Sequence, residues 1–239
     1  MSAPAREHRG NAELRAATFA RGAAPYAEGS CLIATGATSV LCTATVEEGV
    51  PDWRRGSGQG WVTAEYAMLP RATARRTGRE RGRVGGRTQE IQRIIGRALR
   101  ACIDLAALGE RTVLIDCDVL VADGGTRTAS ITGAAVALCD ACDWLVAQRR
   151  IERSPVRELV AATSVGVLAG VPRLDLDYPE DVAADVDLNL VALESGRIVE
   201  IQGTAEGESF DRATLDALID LGLSGIRTLH SLQRKARSP

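Results

Sequence analysis

Three stretches of this 239-residue chain bring together residue types that could do chemistry. The first is Asp123-Gly124-Gly125-Thr126-Arg127-Thr128, which lies between a strand-like run and a helix-like run. Glycines let a backbone bend tightly and approach a ligand, and the start of a helix offers unpaired N–H groups to an anion. Thr126 adds a hydroxyl donor and Arg127 a bidentate fork, both suited to phosphate. The competing reading is an ordinary turn in which Thr128 or Ser130 caps the helix. A GxxxxGK phosphate loop is absent, so a nucleoside triphosphate fold of that kind is excluded.

The second stretch holds six carboxylates in thirteen residues: Asp175, Asp177, Glu180, Asp181, Asp185 and Asp187. No lysine or arginine is interspersed, so the group repels itself unless something positive sits there. Hard oxygen donors of this kind suit Mg²⁺ or Mn²⁺, and a solvated acidic loop is the alternative. Strand alternation from Val186 puts Val186, Leu188 and Leu190 on one face and Asp185, Asp187 and Asn189 on the other. Tyr178-Pro179 reads as a turn that returns Asp181 toward that polar face.

The third stretch is basic. The chain is slightly acidic overall, at −2, yet ten arginines and two glutamates fall between Arg71 and Arg100. Arg71, Arg75, Arg76, Arg79, Arg81 and Arg83 lie in a Gly-rich loop from Pro70 to Gly86, and Arg87 heads the following helix. Arginines on a flexible loop neutralise a phosphodiester backbone without reading its sequence. Aromatic residues make up only 3%, so base stacking is expected to contribute little. Together the three stretches suggest a polyanion track leading to a phosphate and a metal, the parts needed for phosphoryl transfer on a nucleic acid. A covalent mechanism has no support: His8 and His230 lie near opposite ends and no GxSxG occurs. Cys139 and Cys142 would share a helix face among Ala and Leu, which favours core packing over a metal or redox role.

The elements that must position these residues are legible as periodicities. Ser30–Val46 reads as a hairpin turning at Gly36, and Trp61–Tyr66 and Thr112–Val121 read as strands. From Thr88, residues Ile91, Ile94, Ile95, Ala98, Leu99, Cys102 and Leu105 follow helical spacing. Ser130–Gln148 is a mostly apolar helix that predicts layers packed on both its sides. Strands are expected at 159–171, 186–193 and 197–203, followed by an amphipathic helix over 211–233. Strands then helices, twice over, predict an α+β architecture with mixed sheets, and no linker divides the chain, so residues 1–239 read as one domain. No apolar run approaches the roughly 18 residues of a spanning helix, and residues 1–10 lack the apolar centre of a secretory signal. The expected location is the cytoplasm, with its thiols reduced.

Five blocks resemble the ribonuclease PH family: GQGWVTAEYAMLPRAT (58–73), GRTQEIQRIIGRALR (86–100), DCDVLVADGGTRTASITGA (116–134), DLDYPEDVAADVDLN (175–189) and GTAEGESFDRATLD (203–216). That resemblance implies a fold like domain 2 of ribosomal protein S5, assembled as a homohexamer (a trimer of dimers). It implies that Arg87, Gly125, Thr126 and Arg127 hold inorganic phosphate, and that Asp181 and Asp187 are catalytic and hold Mg²⁺ (or Mn²⁺). Arg71, Arg75, Arg76 and Arg79 correspond to the part that grips transfer RNA. The implied reaction trims RNA 3′ ends with phosphate and releases nucleoside diphosphates. A catalytically silent RNA-binding ring subunit is the main rival, and a small-molecule kinase a third.

Overall fold

The computed structural model describes residues 6, 9–80, 82 and 84–238. Two sheets sandwich a central helix. Five strands form the first sheet: β1 (Ala17–Arg21), β2 (Gly29–Thr35), β3 (Thr38–Glu48), β4 (Trp61–Met68) and β5 (Arg111–Val121). Their order is β1-β2-β3-β5-β4, antiparallel except for the parallel β4–β5 pair. That parallel pairing is made possible by the crossover through α1 (Gly86–Ala101) and the short α2 (Leu105–Leu108). It brings the C-terminal ends of β4 and β5 to one edge of the molecule, Met68 opposite Val119.

The second sheet contains β6 (Val160–Leu168), β7 (Val171–Leu174), β8 (Val186–Leu193) and β9 (Ile198–Ala205), in the order β7-β6-β8-β9. Between the sheets runs α3 (Thr126–Ala147), apolar on every side and buried along most of its length. A helix with no polar face has to be covered all round. The first sheet packs closely on α3 because Gly133 stands where any Cβ would meet Ile33 Cγ2 at 2.6 Å. By length and composition α3 could cross a membrane, yet 78% of its most apolar window is buried inside this fold. The larger core cluster joins residues of both sheets, from Ile33 and Val40 to Val160 and Val191.

Helix α5 (Arg212–Arg237) covers the outer face of the second sheet, where Leu218, Ile226 and Leu229 meet Val186, Leu188 and Leu190. Its buried Gln233 donates to the Thr132 and Val160 carbonyls, which leaves the Gln233 Oε1 to accept from His230 Nδ1 at 3.0 Å. Burial holds His230 below its ordinary pKa, with the Gln233 bond opposing. The folded chain therefore takes up a proton at His230 less readily than the unfolded chain, which protonates it below about pH 6.5. Stability is then fully present above that pH and declines as pH falls below it, by at most about 1.4 kcal/mol per unit. A His230→Gln variant should show a shallower loss between about pH 6.5 and 5 in denaturant titrations; an unchanged slope would contradict the burial argument.

Several expected elements change shape. The strand expected over 159–171 is two strands, because Ala169 and Gly170 both adopt positive φ (49° and 77°) and close a two-residue hairpin between β6 and β7. Tyr178-Pro179 is not a turn but opens a short helix, α4 (Tyr178–Ala183), with Asp177 as N-cap in a capping box. Proline fits the first turn of a helix, where its missing N–H costs nothing. Helix α3 starts at Thr126, four residues before the expected Ser130, so the glycine turn leads directly into it. Strand β1 buries none of its five residues and lies outside the expected strands; it is held by pairing with β2. All six cysteines are buried free thiols, Cys139 and Cys142 among them, and burial raises both of their pKa values.

Candidate active site

The C-terminal edge of β4 and β5, the heads of α1 and α3, α4 and the start of β8 converge on one cleft of about 220 Å³. Its walls include Arg87, Gly124, Gly125, Thr126, Arg127, Asp181, Asp187 and Asn189. The glycine turn and the acidic motif, more than fifty residues apart in sequence, thus face each other.

The turn has the geometry that would receive an anion. Gly124 and Gly125 have φ of 75° and 67°, a region that disfavours other residues. A Cβ on Gly124 would lie 2.6 Å from the Leu176 carbonyl oxygen, so only glycine lets the turn rest on the chain entering α4. Neither Thr128 nor Ser130 caps the helix. Both hydroxyls donate instead, Thr128 to the Gly125 carbonyl and Ser130 to the Thr126 carbonyl. Among the described residues no side chain accepts from the first turn of α3. The N–H groups there, which the helix itself cannot satisfy, remain available to a bound oxyanion.

Two contacts aim the side chains of this turn. The Tyr66 hydroxyl on β4 lies 2.9 Å from Thr126 Oγ1. Arg127 donates to Gln202 Oε1 on β9, and Gln202 in turn donates to Glu90 on α1. Neither Tyr66 nor Gln202 stands out in the sequence, because a lone tyrosine or glutamine in a strand carries no spacing signal.

The carboxylates divide into two sets. Asp175 accepts from the Arg15 backbone N–H and guanidinium, whose other N–H groups bond the Asp123 and Gly124 carbonyls. Glu180, 1% exposed, is gripped by Arg6, Arg9 and Arg173. Burial pushes its pKa up, but Arg6, Arg173 and the Asp177 backbone N–H more than reverse this and leave it below the ordinary value. Asp177 caps α4 and Asp185 accepts from the Ala169 N–H. The metal-type reading of the whole cluster is therefore narrowed: four of the six carboxylates are occupied with protein donors. Removing the buried partner of three guanidiniums should be costly, about 3–5 kcal/mol. Glu180→Ala should lower Tm by roughly 6–20 °C in scanning calorimetry; a shift of a degree or two would mean that the arginines find other partners.

Asp181 and Asp187 are the remainder. Asp187 Oδ1 is buried and has no hydrogen-bond partner among the described residues. Burial first, and then the neighbouring Asp181 charge, raise Asp187 to about 6 against the pull of Arg127 and Arg87. Asp181 is also raised, chiefly by desolvation. A carboxylate pair held in this way is short of positive charge. Among the described residues no set of three or more His, Cys, Asp or Glu side chains converges, so the pair alone would hold a cation. Two carboxylates plus water and substrate oxygens is a donor set that suits Mg²⁺. The polar face of β8 ends after Asn189, where Val191 and Leu193 pass under α3 into the core; the same strand face is cleft at one end and core at the other.

Arg71, Arg75, Arg76 and Arg79 are exposed on the loop beside this cleft, and Arg79 shares a second hollow with Tyr66 and Arg87. Arg81 and Arg83, like His8, lie outside the described residues.

A family model described as the 3′ exoribonuclease family, domain 1, matches residues 13–142, and its domain 2 model matches residues 158–225. Ribonuclease PH of Mycolicibacterium smegmatis is 59% identical over 227 residues, covering 94% of this chain and 88% of that protein. The chain belongs to the ribonuclease PH family. Another member, ribonuclease PH of Nocardia farcinica, is 58% identical over 231 residues, with 95% and 90% of the two chains covered. Among solved structures the fold resembles rice Rrp46 (TM-score 0.80, 19% identity, 97% and 99% covered). It also resembles a chain of an Archaeoglobus fulgidus exosome with RNA bound to the active site (TM-score 0.78, 22% identity, 93% and 90% covered). These likenesses establish the family's α+β fold for this chain.

Proposed function

We propose that this chain is a phosphorolytic 3′→5′ exoribonuclease that removes terminal nucleotides from transfer-RNA precursors and other RNA, with release of nucleoside diphosphates. The observation that carries the site assignment is the uncapped α3 N-terminus facing Asp181 and Asp187 across one cleft. Inorganic phosphate is held by the free N–H groups of the α3 first turn, the Thr126 hydroxyl, and the guanidinium forks of Arg87 and Arg127. From there a phosphate oxygen attacks the phosphorus of the last internucleotide linkage. The bond to the preceding 3′-oxygen breaks, and the proton of the hydrogenphosphate balances the new 3′-hydroxyl. Arg87 and Arg127 offset the charge on the equatorial oxygens, and positioning replaces a protein nucleophile. Asp181 and Asp187 would hold Mg²⁺ or Mn²⁺, whose chemistry there is to neutralise charge on the reacting phosphoryl oxygens. Arg71, Arg75, Arg76 and Arg79 would grip the RNA backbone without reading sequence.

A homohexamer, a trimer of dimers, fits the surface. Leu32, Leu41 and Leu114 on the first sheet point away from α1 and α3 and stay partly exposed. Light scattering should then give six times the 25.3 kDa of one chain. The buried free thiols are consistent with a cytoplasmic setting. The reaction itself is tested with a 3′-labelled RNA incubated with Mg²⁺, with and without phosphate. Diphosphates released only with phosphate are expected. RNA bound but never shortened would instead support the silent ring subunit.

A further inference from the structure

The Asp123-Gly124-Gly125 backbone is gripped by two residues that lie outside the cleft. Thr38, fully buried at the start of β3, accepts from the Asp123 N–H at 2.9 Å and donates its hydroxyl to the Gly124 carbonyl at 2.7 Å. Arg15 reaches the same two residues. Its guanidinium donates to the Asp123 carbonyl at 2.6 Å and to the Gly124 carbonyl at 3.4 Å. The Arg15 side chain is buried, and Asp175 anchors it by accepting from Nε at 3.1 Å, from Nη2 at 2.7 Å and from the backbone N–H at 2.7 Å. The first hairpin leaves room for this arm, since a Cβ on Gly36 would lie 2.7 Å from Arg15 Cδ. Asp175 itself has a φ of 56°, a strained conformation for a residue with a side chain. Gly124 and Gly125 line the cleft, whereas Arg15 and Thr38 do not.

We infer that Arg15 and Thr38 are positioning residues that set the direction of the Gly124–Gly125 peptide and so make its N–H a donor to inorganic phosphate. Their role rests on the phosphate-dependent function proposed above and deepens it. In a planar trans peptide the C=O and the N–H point opposite ways. Holding the Gly124 carbonyl back therefore sends the Gly125 N–H forward into the cleft, and the Asp123 carbonyl does the same for the Gly124 N–H. Among the described residues neither N–H has another hydrogen-bond partner. Successive N–H groups in left-handed residues, here at φ of 75° and 67°, form a concave donor set that suits an anion. Two glycines in a row offer no side chain to resist rotation of the peptide between them. Rotated, that peptide would turn a carbonyl oxygen toward the phosphate and repel it. Asp175 thus belongs to the phosphate half of the site, acting through Arg15.

The test titrates phosphate at fixed RNA for wild type, Thr38→Val, Thr38→Ser and Arg15→Lys, with RNA affinity read separately by anisotropy. Thr38→Val keeps the shape and removes the hydroxyl, so KM for phosphate should rise roughly tenfold, the scale of one hydrogen bond to a charged group. At saturating phosphate kcat should return near wild type, and the RNA Kd should not move. Thr38→Ser keeps the hydroxyl and should restore most of the loss. Arg15→Lys cannot serve two carbonyls and a carboxylate together, so its phosphate KM should rise as well. It also carries the test if Thr38→Val does not fold. A fold loosened in general would lower kcat and RNA affinity together. That pattern would overturn the inference, as would an unchanged phosphate KM in Thr38→Val and Arg15→Lys, or equal losses in Thr38→Val and Thr38→Ser. Wild type that shortens RNA equally well without phosphate would be a different failure: it would remove the phosphate-dependent reading, and the positioning role with it.

Discussion

Asp187→Asn should reduce phosphorolysis by roughly 10³-fold or more, about 4 kcal/mol of lost transition-state stabilisation, with RNA affinity changed less than about twofold. The side chain keeps its shape and loses its charge. What disappears is half of the carboxylate pair that would hold the divalent cation, so the apparent Mg²⁺ requirement should rise sharply. Stability should move the other way. Asp187 has a buried oxygen without a partner among the described residues and a pKa raised to about 6, both signs of a charge that the fold tolerates at a cost. Replacing it with a neutral amide should leave Tm unchanged or higher. A variant that is inactive because it is unfolded would show the opposite, and wild-type turnover would remove Asp187 from the site.

Arg127→Ala should act on the other substrate. Loss of one charge-assisted fork is worth about 1.5–3 kcal/mol, so KM for phosphate should rise by roughly 10- to 150-fold. RNA affinity, carried by the exposed loop arginines, should stay near wild type. Arg127→Lys should recover only part of the loss, since an ammonium cannot match the bidentate geometry. Gln202→Ala offers a milder version: Arg127 remains but loses the acceptor that aims it. Equal loss of phosphate and RNA affinity in Arg127→Ala would mean that Arg127 serves the RNA path instead.

The helices and strands were legible wherever the apolar period was strong: the hairpin at Gly36, helix α1 and strand β8 fall where the pattern puts them. The glycine turn was legible as a candidate, because Gly-Gly before a helix limits what the backbone can do. Its decisive property was not legible. Whether Thr128 and Ser130 accept from the helix start or donate away from it depends on rotamers that sequence does not encode. The acidic motif shows the same limit from the other side. Six carboxylates without a nearby cation look like a metal cage, yet Arg6, Arg9 and Arg15 arrive from some 160 to 175 residues away and neutralise two of them, Glu180 and Asp175. The N-terminal segment sets Asp175 and Glu180 apart from Asp181 and Asp187, while the α4 cap and the Ala169 N–H set apart Asp177 and Asp185.

The most direct measurement follows the phosphorus. Unlabelled RNA is incubated with the wild-type protein, Mg²⁺ and radiolabelled inorganic phosphate, and the products are separated by charge. If phosphate bound at the α3 turn is the attacking group, the label appears in nucleoside diphosphates one for one with nucleotides removed. Arg127→Ala should need far more phosphate for the same yield. RNA that shortens to monophosphates while all label stays inorganic would show that water attacks, and would contradict the account at its centre.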